Sequence, residues 1–381
     1  MNKTKFFFYL RSILNSLFIK NKKNIFFYDQ GFISFNEISL VKYISENYKN
    51  YQIYFYTNRK MEAKKILPDS VKIISNKFGW LYQFVSKYVF VEQNCHRWIC
   101  KRSRHQFMIQ LWHGLPVKKV GYLNNTQRIL PYKNLYSHVF APSDYGWLIM
   151  KECFGYLDEQ KLILGSPRND DLYISNELKT IVSKYFSNKF ILWMPTFRNN
   201  CYSVSVSKKI FPLVDEKNIF ELDSLLENSG FRLIIKLHSL NQKYLWFGEK
   251  FKNILFITND DLTKHNISVY NLIGASWALI TDYSSVAIDY LCIDKPLIFT
   301  VDDIEEFSNN RGLLKTYDLI KTTGEKVSDI YELTEAINHL DTNNFKHSLE
   351  RNKVAKIINK YCDSENCKRV CEMFLDEKNK I

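Results

Sequence analysis

Ala278-Leu-Ile-Thr-Asp282-Tyr283-Ser284-Ser285-Val-Ala-Ile-Asp289 is the stretch on which the fold turns, with Lys295-Pro296-Leu-Ile-Phe close behind. An apolar run ends in an acid and two hydroxyls, and an amphipathic segment starts at once. This reads as a buried strand whose C-terminal end hands over to a helix N-terminus, where free backbone N–H groups and the positive end of the helix dipole meet. Ser284 and Ser285 add hydroxyl donors, and the arrangement suits a phosphate. A plain N-cap uses the same residue types, so the choice rests on what lies upstream.

Three other apolar runs end on polar groups. Ile191-Leu-Trp-Met-Pro195-Thr196-Phe197-Arg198 closes on a hydroxyl and a guanidinium. Leu233-Ile-Ile-Lys236-Leu237-His238-Ser239 closes on a cation and an imidazole. Met108-Ile-Gln-Leu-Trp112-His113-Gly114 closes on a His-Gly pair, with Lys118 and Lys119 soon after. Open α/β sheets bind ligands beyond the carboxyl ends of their strands. Each imidazole taken alone also fits a hydrogen-bonded structural role. Four cationic or hydroxyl-bearing strand ends together point to an anion.

These segments resemble a known family. Trp112-His113-Gly114-Leu115-Pro116-Val117-Lys118-Lys119-Val120-Gly121 is similar to the Trp-His-Gly-Thr-Pro-Leu-Lys signature of the CDP-glycerol glycerophosphotransferases, which build teichoic acids and related capsular polymers. Gly165-Ser166-Pro167-Arg168-Asn169-Asp170 resembles that family's Gly-x-Pro-Arg-x-Asp turn, and Pro195-Thr196-Phe197-Arg198 its Pro-Thr-aromatic-Arg. Asp282-Tyr283-Ser284-Ser285 with Asp289 and Lys295-Pro296 resembles its Asp-Tyr-Ser-Ser block, and Arg311-Gly312 its late Arg-Gly. Departures exist. Leu115 stands where Thr is usual, Ser239 where Pro is usual, and Ile288 where Phe is common, and the acid usual just after Gly121 is missing. They bear on the acceptor side or on the donor's polyol.

The resemblance implies phosphoryl transfer from CDP-glycerol to a polymer hydroxyl, with release of CMP. Thr196, Arg198, Lys236, His238, Ser284, Ser285 and Arg311 are then expected to hold the donor's phosphates. His113 is the expected base, with His238 and Asp282 also counted as catalytic, and Gly114, Lys118, Lys119, Arg168 and Asp289 on the acceptor side or in support. No Asp-x-Asp clamp occurs, so no metal and no added cofactor is expected. CDP-ribitol remains an alternative donor. A sugar transferase of the same type, using a UDP- or GDP-sugar, is the nearer rival class, although the usual acidic sugar-binding pair is not evident.

Alternation of short apolar runs with helical patterns argues for parallel, doubly wound sheets. At 381 residues the chain suits two such units. The expected architecture is GT-B-like, two Rossmann-like α/β domains facing a cleft, the fold the resemblance also implies. The expected division is a basic amphipathic segment over 1–23, an acceptor-side domain over 24–175 and a CDP-polyol-binding domain over 176–342. Helices over 343–381 are expected to pack back on the first domain, and Cys201–Phe220 reads as a loop beside the site.

The net charge of +13 favours anionic partners. Lys3, Lys5, Arg11, Lys20, Lys22 and Lys23 precede the first acid, Asp29, while Leu10, Ile13, Leu14, Leu17 and Phe18 recur at helical spacing. The apolar run is too short to span a bilayer. It reads as an interfacial helix on an anionic leaflet, or as a helix docked on the protein's own surface. A cytoplasmic enzyme, peripheral on the inner face of the cell membrane, is the expectation. Its acceptor would be a polyol-phosphate chain, a lipid-linked primer or a capsular saccharide. Nucleic acid is not an expected partner, because the informative cations sit at strand ends and not among surface aromatics. The eight cysteines show no paired metal-ligand spacing and fit packing in a reducing compartment.

Overall fold

The computed structural model describes residues 3–29, 35–93, 100–124, 135–196, 211–236, 250–342 and 346–376. The chain divides into two compact units. One comprises Met1–Leu115, Gly121–Asp170 and Asp363–Ile381, the other Pro116–Val120 and Asp171–Cys362.

Seven parallel strands form the sheet of the first unit: β1 (Asn21–Tyr28), β2 (Gln52–Tyr56), β3 (Lys72–Ile74), β4 (Ser86–Val91), β5 (Phe107–Gln110), β6 (His138–Phe140) and β7 (Lys161–Leu162). Their order is β3-β2-β1-β4-β5-β6-β7. Phe27 lies opposite Phe55 on one side and Phe90 on the other, and all three are fully buried. Consecutive residues Ile25, Phe26 and Phe27 are each at 0% exposure, as a strand covered on both faces requires. The final helix, Asn366–Phe374, returns to this core with Cys367, Val370, Cys371 and Phe374. Asp170 holds its start, accepting from the Asn366 and Cys367 N–H groups at 2.8 Å each. Gly165 (φ +81°) lies against the same helix, where a Cβ would stand 1.7 Å from Asn366 Oδ1.

Six parallel strands form the second sheet: β8 (Phe190–Trp193), β9 (Arg232–Lys236), β10 (Ile254–Ile257), β11 (Ala278–Thr281), β12 (Leu297–Thr300) and β13 (Glu325–Val327), in the order β10-β9-β8-β11-β12-β13. Leu279 of β11 faces Leu192 and Leu297, and Ile191, Leu233, Ala278, Ile280 and Ile298 fill the core. Each fully buried Leu, Ile or Phe contributes roughly 1.5–3 kcal/mol, so the sheet centres carry most of the stability.

Two stretches group differently from the expected division. The helix Ser348–Ile358 belongs to the second unit, because Arg351 Nε pairs with Asp294 Oδ1 at 2.8 Å and Asn359 Nδ2 donates to the Ile288 carbonyl. Pro116–Val120 also joins the second unit. Lys118 bridges Leu313 in antiparallel fashion, with Lys119 N–H on the Gly312 carbonyl and Leu314 N–H on the Val117 carbonyl.

Candidate active site

In both sheets the strand order reverses beside the first strand, between β1 and β4 and between β8 and β11. The loops leaving such a pair part to opposite faces and open a crevice at the carboxyl ends. In the second unit those ends are Pro195-Thr196 and Asp282–Ser285. Asp282, fully buried, receives the Thr196 backbone N–H at 2.9–3.0 Å and the Thr196 hydroxyl at 2.5 Å. These bonds tie the two sides of the crevice together, with Asp282 as the anchor. Next to it, the buried Tyr283 hydroxyl donates to Asp303. Ser284 and Ser285 are half-buried. The helix after them spans only Val286–Tyr290, so the dipole expected there is small and the hydroxyls carry more of the anion reading. Asp289 accepts from the Tyr270 hydroxyl at 2.7 Å inside the unit, which is a supporting role.

Lys236 closes β9, the strand beside β8. Among the described residues no carboxylate pairs with it, and burial pulls its ammonium down to about 8. Arg311 ends the helix Ile304–Arg311 and is likewise lowered by burial, with no acid paired to it among the described residues. Lys118 and Lys119 run beside it through the bridge to Gly312–Leu314, and the Lys119 stem lies across Gly312. Lys118 and Lys119 thus group with the second unit. Arg198 and His238, and all of 201–210, lie outside the described residues.

In the first unit His113 follows β5 and is exposed. Its Nδ1 is 3.4 Å from the Glu92 carbonyl oxygen. A carbonyl can only accept, so this contact sets the proton on Nδ1 and makes Nε2 the ring's acceptor. Trp112 before it has φ +55°, a left-handed conformation costing about 1–2 kcal/mol in a non-glycine residue. Asn36 Nδ2 holds the Trp112 carbonyl at 2.7 Å, and the indole packs edge-on to Phe154.

Asn36 is the hub of a network absent from the sequence reading. Its amide also reaches Glu92 Oε1 at 3.4 Å, and its oxygen accepts the Arg168 N–H at 3.1 Å. Glu37 N–H donates to Glu92 Oε2, and the Thr57 hydroxyl donates to Asp29. Asp29, Glu37 and Glu92 are all buried, and neither Glu37 oxygen has a hydrogen-bond partner. Burial, then the neighbouring Glu92 and Asp29, push the Glu37 carboxyl well above the usual range. Burial raises Glu92 to about 7 against the pull of Arg168, which is 3% exposed. One signal was present in the sequence: Glu92 is an acid directly after an apolar strand, the feature that singled out Asp282.

Two doubly wound parallel units, one with a half-buried lysine and hydroxyls at its strand ends and one with an exposed imidazole, define a GT-B-type transferase. The chain belongs to the CDP-glycerol:poly(glycerophosphate) glycerophosphotransferase family, whose profile matches residues 8–376. It is an enzyme that transfers glycerol phosphate from CDP-glycerol. A teichoic acid poly(glycerol phosphate) polymerase of Bacillus spizizenii is 26% identical, with 93% of each chain covered. A polymerase of the same description from Staphylococcus epidermidis is 24% identical over 86% of this chain, which spans 46% of that relative. The solved wall teichoic acid polymerase TagF shares the fold, with a TM-score of 0.75 at 20% identity over 98% of both chains.

Proposed function

We propose that the second unit holds the CDP-glycerol pyrophosphate on Thr196, Arg198, Lys236, His238, Ser284, Ser285 and Arg311, and that His113 is the general base. The observation that carries this reading is Lys236, a half-buried ammonium with no acid paired to it among the described residues, one strand from the Thr196–Asp282 tie. A phosphate at that position supplies the missing counter-charge, and these donors neutralise the charge growing on the bridging oxygen.

The acceptor hydroxyl attacks the β-phosphorus and its proton passes to His113 Nε2. The bond from that phosphorus to the bridging oxygen breaks, CMP leaves, and a phosphodiester with one more glycerol phosphate remains. Protein cations take the role a metal would fill, so activity is expected to survive chelator treatment. The acceptor is a polyol-phosphate chain or primer carried at the membrane, and the enzyme sits on the anionic inner face. No helix among the described residues is long and apolar enough to cross a membrane. The helix Lys3–Leu17 supports surface contact. Arg11 and Asn15 face the protein, while Phe6, Phe7, Leu10, Ile13 and Leu17 are exposed.

The test is incubation with CDP-glycerol, CDP-ribitol and UDP-sugars in the presence of membrane acceptors, following nucleotide release. CMP from CDP-glycerol, lost by 10²–10⁴-fold in His113→Ala, is the expected result. UDP release, or normal turnover in His113→Ala, overturns the assignment.

A further inference from the structure

At the strand-start edge of the first unit's sheet, the edge opposite His113, lies a cavity of about 880 Å³. Lys20, Lys22, Lys87, Arg102, Arg104 and His138 line it, and among the described residues no carboxylate does. Among the described residues none of Lys20, Lys22, Arg102 or Arg104 is paired with an acid, and Arg102 Nε is buried without a hydrogen-bond partner. An adjoining cavity of about 860 Å³ shares Arg102 and Arg104 and brings in Lys101 with one acid, Glu159. Concentrating this much positive charge in one concavity is unfavourable without an anion. The effect reaches His138, whose imidazole is lowered by burial and by Arg102.

The rim is apolar. Leu17, Phe18 and Ile19 line the same cavity and are 72%, 48% and 92% exposed. They continue the outer face of the helix Lys3–Leu17, which is inverted relative to an ordinary surface helix. Its polar residues are the docked ones: Asn15 Nδ2 donates to Gln106 Oε1 at 2.8 Å and to the Lys101 carbonyl at 3.0 Å, and Lys101 N–H donates to Ser12 Oγ at 2.9 Å. Lys20 Nζ donates to Asn15 Oδ1 and to its carbonyl, fixing the helix end at the cavity mouth. The apolar face is therefore held outward by specific hydrogen bonds.

We infer that this cavity is a headgroup site for an anionic phospholipid, with Lys22, Arg102 and Arg104 on the lipid phosphate and Leu17, Phe18 and Ile19 among its acyl chains. The inference rests on the membrane-surface part of the proposed function and adds a defined pocket to it. A phosphate with an apolar tail matches a cationic concavity with an apolar lip, and a free phosphate leaves the lip unused. Arg donors suit the phosphate because their planar fork binds two of its oxygens at once.

The test is co-sedimentation of the full chain with mixed phosphatidylglycerol–phosphatidylcholine vesicles and with phosphatidylcholine vesicles alone. Binding is expected only with phosphatidylglycerol. Each Lys or Arg near an anionic surface is worth roughly five-fold in affinity, so Arg102→Gln with Arg104→Gln should weaken binding roughly 20- to 30-fold. Lys64→Gln with Lys65→Gln removes the same charge from a helix that does not line the cavity and should change it little. Binding undiminished in the arginine pair, or lowered equally by the lysine pair, overturns the headgroup site while leaving membrane association standing. No binding by the unaltered protein overturns both. Capture of soluble glycerol 3-phosphate without vesicle binding overturns the lipid as occupant. The circular dichroism spectrum and urea midpoint of the arginine pair should match the unaltered protein, separating a lost site from a lost fold.

Discussion

Replacing Asn36 by alanine should release the His113 loop from three directions at once. The side chain is 1% exposed, and it bonds the Trp112 carbonyl at 2.7 Å, Glu92 Oε1 at 3.4 Å and the Arg168 N–H at 3.1 Å. A net hydrogen bond is worth about 1 kcal/mol, and a buried group left without its partner costs about 1–3 kcal/mol. The long 3.4 Å contact contributes little, so the two shorter bonds and their orphaned partners set the loss at roughly 3–5 kcal/mol. Natural stabilities run to about 5–15 kcal/mol, so the variant should still fold, with a lower urea midpoint.

The effect on turnover comes through geometry. Trp112 stays left-handed only while its carbonyl is held, and the His113 ring follows it. Displacing a catalytic group by about 1 Å can cost 10²-fold, so kcat should fall roughly 10- to 100-fold. Donor KM should change less than about two-fold, because the proposed donor residues belong to the other unit. Steady-state CMP release gives both constants, and a double-mutant cycle gives the cause. If Asn36 acts through His113, then Asn36→Ala added to His113→Ala should slow the enzyme no further. Additive losses, or a lower urea midpoint with kcat intact, would refute the coupling and leave Asn36 a fold residue only.

Glu37 and Glu92 keep their protons in the folded protein after the unfolded chain has lost them. Stability should therefore fall as pH rises from about 4.5, the unfolded range, toward about 7, by up to about 1.4 kcal/mol per pH unit and group. Glu37→Gln should flatten that slope in urea titrations at several pH values, and an unchanged slope would exclude the carboxyl as its source. Lys236, at about 8, loses its charge as pH rises, so donor KM should climb through that pH. Lys236→Arg should hold KM flat, and a KM that climbs equally in both proteins would clear Lys236 of phosphate contact. Gly165→Ala forces a Cβ onto Asn366 Oδ1 in a left-handed turn and should cost roughly 2–3 kcal/mol. A midpoint within error of the parent would mean the last helix is not held at that turn.

The strand ends were readable because each carries its own local sign, an apolar run stopped by a polar group. That sign located Thr196, Lys236, Asp282 and His113 and implied the parallel sheets. The Asn36 network was not readable in the same way. The bonds of Asn36 and Glu37 link four segments and join residues 55 to 132 positions apart, a distance at which no periodicity acts. β13 carries no such sign, because Glu325–Val327 is three residues long with two polar members, too short to alternate. The bridge that carries Lys118 and Lys119 to the second unit is a single pair, and nothing in the Pro116–Val120 sequence marks it. The inward helix face with Arg11 and Asn15 inverted the usual rule that apolar residues dock and polar ones face water. The spacing of that helix was legible, and its facing was not.

The sign of charge at each sheet edge follows from what must happen there. In the second unit the strand ends carry Lys236 beside hydroxyls, an environment that stabilises an anion and opposes a carboxylate. In the first unit Asp29 and Glu92 close strands and Glu37 sits in the helix beside them, all three buried, so this edge carries acids where the second unit carries a lysine. The same sheet has cations at its other edge, about four to six residues away along β5, which at about 3.3 Å per residue is roughly 13–20 Å. Over that distance salt at physiological strength screens most of the interaction, the Debye length being about 8 Å. The basic edge therefore does little to the chemistry at His113. Its charge is better matched to a separate anion that the reaction does not consume, and a bilayer is an anion of that kind.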